Sequence, residues 1–157
     1  MSIEIERKFL VKNDDFKLES NRNNKIKQGF LNSNKNRVVR IRISDASAFI
    51  TVKGKSNLSG TTRFEWEKEI NKNEAEELLS LCEPSIIEKI RYYIKKGDHT
   101  FEIDEFFGKN KGLIVAEIEL TSENENFEKP DWLGEEVTGK IEYYNSNLSK
   151  QPYKNWK

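Results

Sequence analysis

The chain opens with the stretch Ile3-Glu4-Ile5-Glu6-Arg7-Lys8-Phe9-Leu10-Val11, in which apolar and charged side chains alternate. Successive side chains of a β-strand point to opposite faces of the sheet. The two isoleucines therefore share one face, while Glu4, Glu6 and Lys8 share the other. This alternation predicts a strand with one apolar face and one charged face.

The same period of two recurs along most of the chain and predicts a mostly antiparallel β protein. Polar or glycine-containing segments separate the repeats and are expected to form turns and loops. A further short strand is expected around Lys27 to Leu31. The predicted strands cover residues 3–11, 37–43, 48–53, 62–70, 87–95, 100–106 and 113–120.

Helical signals are confined to a few segments. Asn73, followed three residues later by Glu76, has the spacing of a capping box, and Pro84 follows the apolar positions of the same segment. This pattern predicts a helix over 74–82 that packs on the outside of the sheet. Short helical turns are predicted at 13–20 and 121–128, and a C-terminal helix at 139–149.

Length and composition indicate one globular domain over residues 1–157, because 157 residues suffice for a single core. The chain has 27 basic and 27 acidic residues, so it lacks the basic excess typical of nucleic-acid or membrane-surface binders. Cys82 is the single cysteine, and charged residues occupy positions where a signal peptide is apolar. We expect a soluble, cytoplasmic protein.

The charged faces of the strands are unusual for a solvated surface. On six strands, two side chains of like sign stand at i and i+2, where a merely wet face would admit serine, threonine and mixed signs. We therefore expect seven or eight strands to curl so that these faces point into a barrel that holds a ligand. The inward set contains the acidic residues Glu4, Glu6, Glu65, Glu67, Glu102, Asp104, Glu117 and Glu119 and the basic residues Lys8, Arg40, Arg42, Lys53, Arg63, Lys89 and Arg91.

Both kinds of charge have natural ligands. Arginine and lysine bind phosphate oxygens, and clustered carboxylates bind hard divalent cations such as Mg²⁺ or Mn²⁺. A metal-complexed polyphosphate needs both at once. The apolar faces would then point outward, which places Trp66 in the core or in a dimer contact and makes a homodimer plausible.

At this point the chain resembles a known family. Glu4-x-Glu6-x-Lys8 is similar to the signature of the CYTH superfamily, the triphosphate tunnel metalloenzymes. Further segments agree in order: Gln28-Gly29-Phe30-Leu31, Arg40-x-Arg42, Thr51-x-Lys53-Gly54, Arg63-x-Glu65-x-Glu67, Lys89-x-Arg91, Asp104-x-Phe106, Glu117-x-Glu119 and Gly134-Glu135-Glu136-Val137-Thr138. The resemblance implies a mainly β (α+β) fold, an eight-stranded antiparallel β-barrel that encloses a charged tunnel, with a few covering helices.

The chain departs from the family pattern near its C-terminus. Members often carry a basic residue just before a Tyr-x-Asn, whereas Glu142 precedes Tyr143 and Asn145 here. The sequence therefore leaves the role of this end, including that of Lys140, open.

The resemblance also implies an activity, because the chain is most similar to short bacterial members that prefer inorganic tripolyphosphate. The expected reaction is hydrolysis of tripolyphosphate to pyrophosphate and phosphate by metal-activated water, with Mg²⁺ or Mn²⁺ as cofactor. Glu65, Glu67 or a metal-ligating carboxylate would help to position and deprotonate the water, and Lys8 or Lys89 would protonate the leaving oxygen. The metal ligands implied are Glu4, Glu6, Glu102, Asp104, Glu117 and Glu119, and the triphosphate ligands are Lys8, Arg40, Arg42, Lys53, Arg63, Lys89 and Arg91.

Several alternatives stay open at the level of sequence. Within the family, the chain could be an adenylyl cyclase or act on thiamine or nucleoside triphosphates. A polyphosphate-binding or nucleotide-binding module without turnover would need the basic set but not the acidic pairs. A nucleic-acid-binding barrel is disfavoured by the equal number of acidic residues.

Overall fold

The computed structural model of the protein describes residues 3–156 and consists mainly of antiparallel strands. Eight strands follow the order β5, β4, β3, β2, β6, β7, β8, β1, and β1 pairs back to β5, so that the sheet closes into a barrel. The expected eight-stranded antiparallel barrel is confirmed. The barrel strands are β1 (Ile3–Val11), β2 (Arg22–Asn32), β3 (Arg37–Ser44), β4 (Ser47–Gly54), β5 (Thr62–Ile70), β6 (Ile87–Lys96), β7 (His99–Phe106) and β8 (Ile114–Glu119).

A short ninth strand, β9 (Leu133–Glu136), pairs with the outer end of β1 and was not predicted. The pairing shifts register between Phe9 and Val11. Gly134 permits the close approach, since a Cβ atom there would lie only 2.9 Å from the Leu10 carbonyl oxygen. Such a short, irregular strand carries too few residues to show alternation.

Strand β2 begins five residues before the predicted segment 27–31, at Arg22. Its polar start has low strand propensity, but Arg22, Asn23 and Asn24 pair directly with Tyr93, Tyr92 and Arg91 of β6. Cross-strand contacts therefore outweigh intrinsic preference in this stretch.

The described residues form three α-helices outside the strands: α1 (Phe16–Glu19), α2 (Lys72–Leu79) and α3 (Asn145–Leu148). The cap of α2 is Asn71 rather than Asn73, because the Asn71 side chain accepts a hydrogen bond from the Asn73 amide. The predicted C-terminal helix 139–149 is divided into a 3₁₀ turn (Ile141–Tyr143) and α3.

The helical turn predicted at 121–128 is wrong. Glu125 accepts hydrogen bonds from the backbone amide of Thr121, at 2.6 Å, and from its hydroxyl. Such local side-chain bonds to the backbone compete with helix formation.

Most of the core lies outside the barrel, where the apolar strand faces meet the covering segments. One cluster joins Phe16 of α1 and Trp132 to Phe101 and Ile103 of β7. Another lies under α2, where Ala75 and Leu79 pack on Ile41 of β3. Within residues 3–156, no helix is long and apolar enough to cross a membrane.

One end of the barrel interior is apolar. Phe106 of β7 and Val115 of β8 share the inward face with the charged residues of their strands, and Leu148 of α3 packs against both. Charged side chains line the rest of the interior. Trp66, expected in the core or a dimer contact, is 44% exposed on the outside of β5, so it is not a core residue.

Candidate active site

A cavity of about 240 Å³ lies inside the barrel and is walled by the charged strand faces. This volume is many times the minimum needed to hold one water molecule and leaves space for a short phosphate chain. Of the fifteen side chains predicted for the site, only Asp104 is not part of the wall. The charged wall residues are Glu4, Glu6, Lys8, Arg40, Arg42, Lys53, Arg63, Glu65, Glu67, Lys89, Arg91, Glu102, Glu117 and Glu119.

The register of the strands brings together residues that are distant in sequence. Glu6 and Lys8 of β1 lie opposite Glu119 and Glu117 of β8. Glu117 in turn lies opposite Glu102 of β7. Directly opposed residues of antiparallel strands share a face, with Cβ atoms about 4.5–5.5 Å apart, so these side chains necessarily converge.

Lys53 is the central cation of one carboxylate group. Its Nζ donates to the two carboxylate oxygens of Glu4 at 3.0 and 3.1 Å and lies 3.4 Å from Glu65. Burial alone would raise the pKa of Glu4, but the charges of Lys53 and Arg63 lower it to about 2. Burial and the charge of Glu4 raise the pKa of Glu65. The pKa values of these two neighbouring carboxyl groups are therefore shifted in opposite directions, and Glu65 is the better proton acceptor.

Asp104 lies behind the cavity wall and holds two cations. Its carboxylate accepts hydrogen bonds from Arg91 at 2.8 and 3.0 Å, and Lys89 Nζ lies 2.8 Å from Oδ2. Burial would raise the pKa of Asp104, but the charges of Arg91 and Lys89 hold it well below its usual range. Both carboxylate oxygens are engaged, so the metal-ligand role predicted for Asp104 has no geometric support.

Lys89 is held from two sides. Its Nζ also donates to Asn145 Oδ1 at 2.8 Å, so the ammonium group lies between Asp104 and the C-terminal segment. Burial lowers the pKa of Lys89 to about 7, while the charge of Asp104 acts in the opposite direction. A lysine with such a pKa can give up and regain a proton near neutral pH.

Glu6 and Glu119 are the acidic pair without a cation. They face each other across β1 and β8, and neither makes an ion pair within residues 3–156, whereas Glu117 pairs with Lys8 and Arg91. Burial, together with the charges of Glu117 and Glu4, raises the pKa of Glu6 to about 8. Burial and the charge of Glu4 also raise the pKa of Glu119. The pair is therefore stabilised by a proton or by a bound cation.

Arg40 and Arg42 share a single counter-ion in the described part of the chain. Oε2 of Glu67 lies 3.5 Å from Nη2 of each guanidinium group. The hydroxyl of Thr51 donates to the same oxygen at 2.7 Å and accepts from Arg40 at 3.1 Å. Thr51 thus belongs to the arginine site, although its position in the motif was the only sign of this in the sequence.

The C-terminal segment supplies wall residues that the alternation of the strands could not reveal. Tyr144, Asn145 and Ser146 line the cavity. The Tyr144 ring centroid lies 4.6 Å from Lys8 Nζ, and Asn145 Oδ1 accepts from Gln28 at 2.8 Å. The match of Asn145 to a Tyr-x-Asn pattern was the signal available in the sequence.

The other residues left open at this end lie away from the cavity. Lys140 pairs with Glu135 at the surface, at 3.1 Å, and Glu142 is exposed. The Tyr143 ring packs edge-on against Trp156, with a centroid distance of 5.2 Å.

The carboxylates do not form a ready-made metal cage. Within residues 3–156, no three acidic, histidine or cysteine side chains converge as a complete ligand set. The cation-free pair Glu6 and Glu119 still fits a hard cation that takes few protein ligands. Mg²⁺ in particular is usually bound by one or two carboxylates together with substrate phosphates and water.

Known proteins share both the sequence and the architecture of this chain. A model of the CYTH domain matches residues 2–153. An inorganic triphosphatase of Acetivibrio thermocellus is 48% identical over 158 aligned residues, covering 100% of this chain and 99% of the relative. An inorganic triphosphatase of Nitrosomonas europaea is 36% identical over 151 residues, covering 93% of this chain and 96% of the relative.

The crystal structure of an inorganic triphosphatase superposes on this structure with a TM-score of 0.65 at 33% identity. The match covers 93% of this chain and 97% of that one. The family signature, the closed barrel and the charged interior thus agree, and the chain belongs to the CYTH domain family.

Proposed function

We propose that this protein is an inorganic triphosphatase that hydrolyses tripolyphosphate to pyrophosphate and phosphate inside the barrel. The observation that supports this proposal most strongly is the cavity itself, in which seven cations and seven carboxylates face a space of about 240 Å³. The two relatives described above bear the name inorganic triphosphatase. The single-domain organisation predicted for residues 1–157 is part of this proposal.

The seven cations bind the phosphate chain. They surround the cavity from five different strands and are Lys8, Arg40, Arg42, Lys53, Arg63, Lys89 and Arg91. Arginine forks and lysine ammonium groups match phosphate oxygens, and their surroundings hold them in place before the substrate arrives. Fixed cations stabilise the charge on the transferred phosphoryl group and on the leaving phosphate.

Membership of the CYTH family implies dependence on a divalent metal ion, and we propose Mg²⁺ or Mn²⁺. Glu6 and Glu119 are the primary ligands, because they lack a cation of their own. Glu4, Glu102 and Glu117 already pair with lysine or arginine and lie beside this pair. The bound ion would supply Lewis acidity and charge neutralisation on the phosphate oxygens.

Proton transfer is assigned to groups whose pKa values are shifted toward neutrality. Glu65 accepts the proton of the attacking water, since burial and Glu4 raise its pKa. Glu67, the other predicted base, is engaged with Thr51 and two arginines and serves to position them. Lys89 protonates the leaving phosphate in preference to Lys8, because burial lowers the pKa of Lys89 to about 7.

The wall of the cavity favours an inorganic substrate over a nucleotide. Phe30, Val38 and Tyr144 are the apolar or aromatic members of the wall. Phe30 and Val38 belong to the apolar cluster at the α3 end, where Leu148 fills the interior. The Tyr144 ring already packs against Lys8 and Arg63, at 4.6 and 5.4 Å from the ring centroid. The other described wall residues are charged or polar and offer no aromatic surface on which a nucleobase or thiazolium ring would stack.

We propose a cytoplasmic enzyme that needs neither nucleic acid nor a membrane as a partner. A homodimer also stays a prediction. The outer face of β1 and β5 exposes Ile3, Phe64 and Trp66. Sedimentation equilibrium measures whether the protein in solution has the mass of one chain or of two.

The test is phosphate release from tripolyphosphate, ATP and thiamine triphosphate, with Mg²⁺, with Mn²⁺ and with chelator, while cyclic AMP is also measured. We expect fast, chelator-sensitive release from tripolyphosphate. Glu119→Gln should lose at least about 100-fold in kcat/KM, since metal-ion catalysis is worth several kcal/mol.

The matched control is Glu128→Gln, at an exposed position outside the cavity, which should retain full activity. Formation of cyclic AMP would reassign the protein as a cyclase. Tight binding of triphosphates without turnover would reassign it as a binding module.

A further inference from the structure

Thr51 is a buried polar residue that the proposed reaction does not use directly. It is fully buried in the middle of β4, at 0% exposure. The register places Arg40 of β3 opposite Thr51 on one side and Glu67 of β5 opposite it on the other. The three side chains therefore form one row across three adjacent strands.

Among the described residues, the hydroxyl of Thr51 makes the only hydrogen bond to Glu67 that is shorter than 3.5 Å. It donates to Glu67 Oε2 at 2.7 Å, whereas Nη2 of Arg40 and of Arg42 lie 3.5 Å from the same oxygen. Hydrogen bonds weaken steeply with distance, so the two arginine contacts orient Glu67 poorly. The Glu67 side chain is 34% exposed and would otherwise be free to turn into solvent.

The two arginines depend on this arrangement. In residues 3–156, their hydrogen-bond acceptors are Thr51 Oγ1 and Glu67 Oε2, and the buried Nε atom of each has no partner. Arg40 and Arg42 are two positions apart on one strand face, about 6.6 Å by strand rise, so their charges repel. A carboxylate held between them offsets that repulsion.

We propose that Thr51 is a positioning residue of the triphosphate site, whose hydroxyl fixes Glu67 so that Glu67 holds Arg40 and Arg42 together for phosphate binding. This inference rests on the proposed function for the identity of the ligand. Thr51 itself does not reach the cavity wall and acts only through Glu67 and Arg40.

The test compares Thr51→Val, which keeps the shape and removes the hydroxyl, with Thr51→Ser, which keeps the hydroxyl. Thr51→Val should raise KM for tripolyphosphate about 10- to 100-fold, the range typical of residues that orient the ligands of a site, with a smaller change in kcat. The KM of Thr51→Ser for tripolyphosphate should stay within about threefold of the wild-type value, because the hydrogen bond is retained. Thr100→Val, at an exposed position on β7, is the matched control and should leave both constants unchanged.

A double-mutant cycle then tests whether Thr51 acts through Glu67. Thr51→Val combined with Glu67→Gln should be no worse than Glu67→Gln alone, because the same interaction is already lost. Independent, multiplicative losses would overturn the proposal, and so would a folded Thr51→Val variant with the KM of the wild type. Should Thr51→Val fail to fold, Thr51→Cys carries the same expectation, since a thiol is a weak donor.

Calorimetric titration of tripolyphosphate in chelator separates this inference from the proposed function. Wild-type binding in chelator that is not followed by hydrolysis once Mg²⁺ or Mn²⁺ is added in excess would contradict the triphosphatase activity alone. The same titration should show Thr51→Val binding tripolyphosphate about 10- to 100-fold more weakly than Thr51→Ser does. Equal affinities of the two variants would overturn the positioning role, whatever the turnover.

Discussion

At the scale of single residues, Asp104 neutralises both Lys89 and Arg91 where almost no water reaches them. The side chains of Asp104 and Lys89 are 2% and 1% exposed, and that of Arg91 is 10% exposed. Two buried cations without a counter-ion would be strongly destabilising. The carboxylate therefore supports the site through stability and orientation rather than as a metal ligand.

Replacement of this carboxylate by an amide should make the protein easier to unfold. We expect Asp104→Asn to lower the free energy of unfolding by about 3–5 kcal/mol, because it removes the only ion pair of buried Lys89 within residues 3–156 and the nearest counter-ion of Arg91. Urea denaturation measures the change. Glu105→Gln, next in sequence, is the control. Its ion pair with Lys17 is partly exposed and worth at most about 1 kcal/mol.

The outcome separates two roles for Asp104. Equal stability of Asp104→Asn and the wild type, with activity restored by higher Mg²⁺ concentration, would identify a metal ligand instead. If Asp104→Asn is less stable than the wild type when both are measured in chelator, the counter-ion role is supported.

At the scale of elements, the C-terminal segment completes the cavity that the strands begin. Its approach is fixed by the contact of two glycines, Gly60 before β5 and Gly139 before the 3₁₀ turn. A Cβ atom on Gly60 would lie 2.3 Å from the Gly139 Cα, and both residues have φ near +80°. Bulkier residues would push this segment away from the barrel. Asn145 then reaches inward, and its Oδ1 accepts from both Gln28 and Lys89.

Truncation of this amide should weaken both the fold and the reaction. Asn145→Ala removes the acceptor of two buried donors, so we expect a loss of about 1–3 kcal/mol in the free energy of unfolding. The value of kcat/KM for tripolyphosphate should also fall, because Lys89 loses one of its two anchors. Asn147→Ala, on the same short helix, is the matched control, since its side chain makes no hydrogen bond within residues 3–156. Equal stability and activity of the two variants would contradict the role given to Asn145.

At the scale of the whole molecule, closure of the sheet concentrates carboxylates inside the barrel and makes stability depend on pH. Burial and neighbouring carboxylates raise the pKa of Glu6 to about 8, far above the value of about 4.3 for an unfolded chain. Between these two values the folded state binds a proton that the unfolded state lacks. Stability therefore falls as pH rises through this range.

The informative window lies between pH 5 and pH 7. The raised pKa of Glu65 acts in the same direction as that of Glu6. Groups with lowered pKa, such as Glu4 and Asp104, contribute fully above pH 5 and add no slope there. Lys89, whose pKa burial lowers to about 7, adds stability with rising pH only above this window.

In chelator, the melting temperature should therefore decrease from pH 5 to pH 7. After allowance for the partial exposure of Glu6, we expect the free energy of unfolding to fall by about 1 kcal/mol over this range. For a chain of this size, that corresponds to a decrease of about 2–4 °C in melting temperature. Differential scanning calorimetry measures the shift. Glu6→Gln should remove most of it, and a melting temperature of the wild type that rises over this window would contradict the assignment.

Much of the barrel could be predicted from alternation alone. Period-two patterns such as those around Arg40 and Glu117 fix which side chains share a face, because that property is local to each strand. Short or polar elements were missed: β9 has only four residues, and the start of β2 depends on its partners in β6. Their stability comes from contacts that no local pattern contains.

The sequence by itself determined the strand faces, the balance of acidic and basic side chains and the family signature. Only the tertiary structure decided how those charges pair: Glu4 with Lys53, Asp104 behind the wall with Arg91, and Glu6 facing Glu119 without a cation. The physical reason is that a strand's alternation sets the direction of a side chain, whereas its partners depend on the register between strands distant in sequence. In a closed barrel, that register decides which charges are neutralised and which are left for a ligand.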